Sequence, residues 1–359
     1  MQTLDFSQNT PQDLIELGST SLKNIVESGY QPKVIDLSKN DVLPHNWLND
    51  EDIVADVKKH NLNMIRLSQS KVTTSIFGLD TSSIDLGETD NGLLCAVRGT
   101  IVWRDREKYN YTRHGPFIFH ITESNKHFLY NKLRQMYFDA KQPAPTPSVW
   151  WMPGRIRNVL ERWLQRQLSQ SCRDSIILWD GSLTAWTIDS PIDLISDVLR
   201  TARKRENVVL ALSKKTKFRV FGQRVTDLIE NRDAPCLLDL DELIRQQYGN
   251  YLCFFGRVYA AKFVPSQFTF RLDVDREIPN DAGVEAVQRL IGNDLVADSY
   301  PETLRIAHIL SRFSASEVIG MQRFISENFG IKIVTRPNLR QILFGPYGGG
   351  ASNNRAGIS

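Results

Sequence analysis

Ser175-Ile176-Ile177-Leu178-Trp179-Asp180-Gly181-Ser182 is a short apolar run that stops at an acid and a polar turn. The run has the length of a fully buried strand, and Gly-Ser after it is turn chemistry. The same arrangement occurs upstream, where Ile76-Phe77-Gly78-Leu79 leads into Asp80 and Thr81-Ser82-Ser83. A carboxylate at the end of a buried strand is costly to keep charged unless something pairs with it. Two of them in one domain suggest a shared partner, and a divalent cation is the usual one.

Around these strands the chain alternates between helical and extended patterns. Residues from about 10 to 70 read as a polar, mainly helical N-terminal addition. Gly92 to Trp103 is β-rich and pairs antiparallel with the Asp80 strand, with Asp85 to Asn91 as the turn. Glu123 to Tyr137 reads as a helix, and Pro143, Pro145 and Pro147 then break the chain. Arg155 to Leu168 is a helix with Ile156, Leu160, Trp163 and Leu164 at helical spacing. After the Asp180 strand come a helix from about Ile192 to Arg203 and a short strand, Val208 to Leu212. Tyr251 to Phe263 and Phe268 to Val274 read as a hairpin around Pro265-Ser266. Val284 to Ile291, Glu302 to Arg312 and Ala315 to Phe329 are helical, the last opened by a Ser314–Glu317 capping box. Helices interleaved with hairpin and crossover strands predict an α/β domain with a mixed sheet over 71–345. A polar tail follows from 346.

The chain has 359 residues, 41% hydrophobic and 24% charged, with a net charge of only +3. That is globular composition, and nucleic-acid binding has to be sought in local clusters. The four cysteines are scattered, which argues against a disulfide framework or a thiolate zinc site and fits a reducing cytoplasm. The N-terminal residues carry no secretory pattern, and no apolar run is long enough to span a bilayer.

Four side chains carry the chemistry: Asp80 and Asp180 at strand ends, Glu161 on the helix before the second strand, and His308 on a C-terminal helix. Carboxylates suit Mg²⁺ or Mn²⁺, and the imidazole tilts the set toward Mn²⁺. Each residue also has a plainer reading. Asp80 and Asp180 are acceptable turn residues, Glu161 sits four residues after Arg157 as in a helical ion pair, and His308 lies among apolar neighbours. Between Arg200 and Arg224 the chain holds nine Lys or Arg and one acid. Lys214, directly after a strand, would steady a phosphate, with Lys215 and Lys217 beside it. Arg157 and Arg162 place further cations next to Glu161. Tyr300 is assigned to the neighbourhood of His308 or the substrate. Trp150, Trp151, Trp163, Trp179 and Trp186 read as core or interface aromatics rather than base-stacking platforms.

Taken in order, these stretches resemble the NurA nucleases, over about Ser75 to Phe329. Gly78-Leu79-Asp80-Thr81-Ser82-Ser83 resembles the family's first motif, and Asn158-Val159-Leu160-Glu161-Arg162 its helical glutamate. Leu178-Trp179-Asp180-Gly181-Ser182-Leu183 is similar to the second aspartate motif, Leu212-Ser213-Lys214 to the Ser-Lys segment, and Tyr300-Pro301 through Ala307-His308 to the C-terminal element. Thr81 departs from the usual glycine, and the Pro-containing stretch before Trp150 lengthens the spacing. The resemblance implies an RNase H-like fold and a Mn²⁺-dependent DNA nuclease with 5′ to 3′ exonuclease and single-strand endonuclease action. It further implies a homodimer that works with a HerA-type hexameric ATPase. Two other readings stand beside it: a non-catalytic DNA-binding adaptor of a translocating ATPase, and an actin-like phosphotransferase, which lacks the glycine-rich phosphate loops it would need.

Overall fold

Alternating burial in the two acid-tipped runs explains the architecture. In the computed structural model, Ile76 and Gly78 face one side of a sheet and Phe77 and Leu79 the other, as do Ile176 and Leu178 against Ile177 and Trp179. Both sides are covered, so these strands are apolar throughout. The structure describes residues 11–27, 62–105, 107–185, 189–216, 218–220, 222–249 and 252–334. Lys217, Trp186, Tyr251 and the tail from 346 lie outside them.

Among the described residues, nine strands form one sheet: β1 (Met64–Arg66), β2 (Ser75–Glu88), β3 (Gly92–Asp105), β4 (Lys108–Thr122), β5 (Ser175–Asp180), β6 (Val208–Ser213), β7 (Cys236–Asp239), β8 (Gly256–Lys262) and β9 (Phe270–Asp275). Their order is β1-β7-β8-β9-β6-β5-β2-β3-β4. β2, β3 and β4 are an antiparallel meander, β5 and β6 run parallel to β2, and the remaining pairs are antiparallel. This is the RNase H-like mixed sheet with a further antiparallel wing.

The helices are α1 (Gln12–Glu27), α2 (Lys126–Phe138), α3 (Met152–Ser171), α4 (Ile192–Lys204), α5 (Asp241–Tyr248), α6 (Asn280–Asn293), α7 (Glu302–Ser311) and α8 (Ala315–Phe329). α2, α3 and α4 bury Leu133, Leu160, Leu164 and Ile195 against Phe77, Val97, Ile177 and Trp179. On the other face α6 and α7 bury Val287, Leu290 and Leu304 against Ile76, Leu178 and Leu212. α1 lies on β4, where Ser21 Oγ accepts the His120 amide at 3.0 Å. β1, on the N-terminal side of residue 70, pairs with β7 inside the main sheet rather than joining a helical addition.

Two local features set the site. Gly78 lets α7 approach β2, because a Cβ there would meet Thr303 Cγ2 at 2.9 Å. The capping box that opens α8 is formed by Ser314 and Glu317. The cysteines are free, three of them buried. No helix among the described residues is long and apolar enough to cross a membrane.

Candidate metal centre

β5 ends at Asp180, and Gly181 follows at φ +133°, a backbone conformation that favours glycine. The turn is tied to β6: the Gly181 amide donates to Leu212 O at 2.8 Å, and Ser213 Oγ donates to Gly181 O at 2.5 Å. β6 then delivers Lys214, whose Nζ donates to Asp180 Oδ2 at 2.7 Å. Burial pushes the Asp180 carboxyl above its ordinary value; Lys214 pulls it down, Asp80 pushes it up and His308 lowers it.

Asp80 is not at a strand end, contrary to the sequence reading. β2 continues to Glu88, and Thr81 pairs with Gly99 in extended backbone, which removes the turn reading as well. The parallel ladder between β2 and β5, however, stops at Leu79 opposite Trp179. Asp80 and Asp180 are therefore the next residues along two adjacent strands, where the sheet opens. Asp80 Oδ2 accepts from His308 Nδ1 at 2.8 Å and from Ser311 Oγ at 2.9 Å. Ligand atoms of Asp80, Asp180 and His308 all lie within 4.8 Å of one another, each residue half-buried. His308 is thus no core histidine: its side chain is 41% exposed.

Glu161 approaches from α3 on the opposite face. Its Oε1 accepts from Gln165 Nε2 at 3.2 Å, and Thr81 Oγ1 lies 3.5 Å from Oε2. Burial raises its carboxyl; Arg162 and Arg157 lower it, and Asp80 and Asp180 raise it further. All three acids thus share one electrostatic neighbourhood, although Glu161 stands beside the 4.8 Å group rather than within it. The simple Arg157–Glu161 pair gives way to another arrangement, since Arg157 Nη2 donates to Asn158 Oδ1 at 3.0 Å. Tyr300, buried just ahead of α7, has a hydroxyl with no hydrogen-bond partner. Burial, then Asp180 and Asp80, drive its phenol well above the usual range, and Lys214 Nζ sits 5.3 Å from its ring centre.

The donor set fits a hard divalent cation. Two carboxylates and an imidazole converge, and the Asp180 and Glu161 carboxyls are raised by burial and by the neighbouring acids, a repulsion that a cation between them would relieve.

The basic residues divide. Lys215 is exposed beside Lys214, and Arg157 is half-buried one turn before Glu161. Arg162, expected at the DNA, has donors that reach Gln165 Oε1 at 2.6 Å, Ser190 Oγ at 2.8 Å and Asp189 O at 3.4 Å, and its Nη1 lies 3.9 Å from Glu161 Oε1. Ser311 was not foreseen. It lies three residues after His308, hence on the same helix face, and that spacing was the available signal.

No protein-family model matches the chain, and no curated protein matches it in sequence. Solved structures do. The NurA nuclease from Sulfolobus solfataricus superposes with a TM-score of 0.50 at 14% identity, over 75% of this chain and 87% of that one. Endonuclease V from Bacillus subtilis gives a TM-score of 0.35 at 12% identity, over 74% and 88% of the two chains. A structure of NurA with manganese gives 0.34 at 9% identity, over 72% and 89%. The first of these likenesses is one of fold; the other two superpose too loosely to bear on this chain.

Proposed function

We propose that this chain, folded like the Sulfolobus NurA nuclease, is a divalent-metal-dependent deoxyribonuclease of the NurA family. The observation that carries the reading is the convergence of Asp80, Asp180 and His308 where the parallel ladder ends, with Glu161 alongside. The fold likeness and the ordered motifs support it. Asp80, Glu161, Asp180 and His308 would hold Mn²⁺, or Mg²⁺. A cation there supplies Lewis-acid stabilisation of the phosphodiester and lowers the pKa of water.

The protein's own residues do the rest. Ser311 and the His308 ring both bond Asp80 Oδ2, which orients that carboxylate. Lys214, which donates to Asp180 Oδ2 at 2.7 Å, stands where its ammonium would neutralise charge that develops on the phosphate in the transition state. Tyr300, whose hydroxyl is buried without a hydrogen-bond partner, packs its ring beside Lys214 and so would position that ammonium. The oxygen of a water would bond to phosphorus as the P–O ester bond breaks, the leaving oxygen would depart as an alcohol with a proton from that water, and no covalent enzyme intermediate is needed. The 5′ to 3′ polarity, single-strand endonuclease action, homodimer, HerA-type hexameric ATPase partner and cytoplasmic setting belong to the same reading and rest on the motif resemblance.

The test is cleavage of linear and single-stranded DNA with Mn²⁺ by the wild type and by Asp180→Asn. The variant should lose at least about a hundredfold in rate, on the scale of losing one charge-stabilising group, while its circular dichroism stays unchanged. Wild-type cleavage by the variant removes the acid cluster from the mechanism. One observation favours the adaptor reading: Lys214 pairs with Asp180 at 2.7 Å and offsets its charge. DNA binding without cleavage by the wild type, across Mg²⁺ and Mn²⁺, would select it.

A further inference from the structure

The N-terminal half of α3 presents features that the acid cluster does not use. Trp150 and Trp151, in the single helical turn before α3, are 55% and 57% exposed. Adjacent exposed indoles are costly to leave in water. The neighbouring Val149 and Met152 are buried and fix the turn.

Helical spacing links this pair to the acids. Trp150 or Trp151, Gly154, Arg157 and Glu161 fall at steps of three or four residues, on one face of the helix. α3 runs back toward the start of β5, so its N-terminus lies at the end of the sheet where Asp180 emerges. Ten residues separate Trp151 from Glu161, about 15 Å of helix rise. Between them a Cβ on Gly154 would meet nothing within 4 Å, so the helix surface is open at that point. From Ala140 to Leu160 the chain holds three cations, Lys141, Arg155 and Arg157, and no acid. Arg155 is paired with Asp189. Arg157 is half-buried, with its Nη2 on the neighbouring Asn158 Oδ1 at 3.0 Å, and it forms no ion pair within 4 Å among the described residues.

We propose that this face of α3 is a track for one strand of DNA leading to the acid cluster, with Trp150 and Trp151 stacking on its bases and Arg157 on a phosphate. The inference rests on the nuclease reading above. Aromatic stacking tolerates any base, and the positive stretch matches the backbone. The length accommodates about four stacked nucleotides at ~3.4 Å each. A duplex cannot use the indoles, because its bases are already stacked and paired. The track therefore selects a single-stranded substrate or a frayed end.

The test uses the full-length protein in an Asp180→Asn background, with fluorescein-labelled dT12 and a blunt 12-base-pair duplex as probes, read by anisotropy without metal. Trp150→Ala/Trp151→Ala should weaken dT12 binding at least about fivefold, the lower end of what one lost stack costs. Duplex binding should change less than twofold, and Trp150→Phe/Trp151→Phe should recover most of the loss. Unchanged dT12 affinity overturns the proposal. So does equal loss on both probes, or a change of the double variant's sedimentation coefficient, which would make the indoles a subunit interface. The assay does not depend on catalysis. If metal-loaded wild type fails to cut dT12 while the affinity pattern holds, the nuclease reading fails and the strand track stands.

Discussion

Asp180 and Lys214 form a carboxylate–ammonium pair of 2.7 Å in a cluster that holds two further acids. Burial raises both the Asp180 and Glu161 carboxyls, so the metal-free native state binds protons that the unfolded chain releases. These acids add least to stability above their folded-state pKa values, and metal-free stability rises as pH falls into that range. A bound cation reverses this, because it needs the carboxylates ionised. The rise in melting temperature on adding Mn²⁺ should therefore be larger at pH 7.5 than at pH 5, and differential scanning fluorimetry at the two values checks it. At a hundredfold excess of Mn²⁺ over its dissociation constant the stabilisation is about 2.7 kcal/mol. Ser311→Ala should keep the fold, since Asp80 Oδ2 retains His308, but should lower the Mn²⁺-induced shift and the cleavage rate together.

Among the elements, α7 sets the geometry, because it carries His308 and Ser311 to β2 only if it can approach Gly78. Gly78→Val should push the helix outward at a cost of about 1–3 kcal/mol. It should abolish the Mn²⁺ shift while a substantial melting transition survives, read in the same scans. The junction of α7 and α8 is held by Arg98 of β3. Its side chain is only 5% exposed, and it donates to Glu317 Oε1 at 2.6 Å and to Arg312 O at 3.1 Å. The Arg98 hydrogen bond, chiefly, and the Ser314 donors hold the Glu317 carboxyl down at about 2. A depressed carboxylate contributes stability that is complete above its unfolded value and is lost as pH falls toward 2. Glu317→Gln should cost about 1–2 kcal/mol at pH 7, discounted because Glu317 is 36% exposed. The gap from wild type should close between pH 4.5 and 2, as thermal melts at each pH will record.

At the scale of the molecule, the catalytic reading puts the site where the antiparallel meander and the parallel strands part. The chain's net charge of +3 makes it no polycation, so DNA affinity should come from local cations. If Arg157, Lys214 and Lys215 are the phosphate contacts, log affinity for single-stranded DNA should fall with log salt at a slope of about −2. A slope near zero would exclude them. Much of this frame was legible in the residues. Buried strands read as unbroken apolar runs, and each acid interrupts or ends one. What escaped has physical causes. β4 is an edge strand whose exposed half alternates Lys, Tyr, Asn, Tyr and Thr around no apolar stripe, and it carries Gly115-Pro116, which reads as a break. β1 and β7 are too short to show a period. The direction of Arg162 depends on Ser190 and Gln165, partners no spacing rule selects. Trp150 and Trp151 resemble core aromatics in sequence, and only their exposure sets them apart.

The most direct measurement is an anomalous difference map from crystals of the full-length protein soaked in Mn²⁺. A peak bonded to carboxylate oxygens of both Asp80 and Asp180 at about 2.2 Å, the distance expected of such oxygen donors, is the predicted result. No peak at saturating Mn²⁺, or one whose ligands include neither acid, would contradict the account.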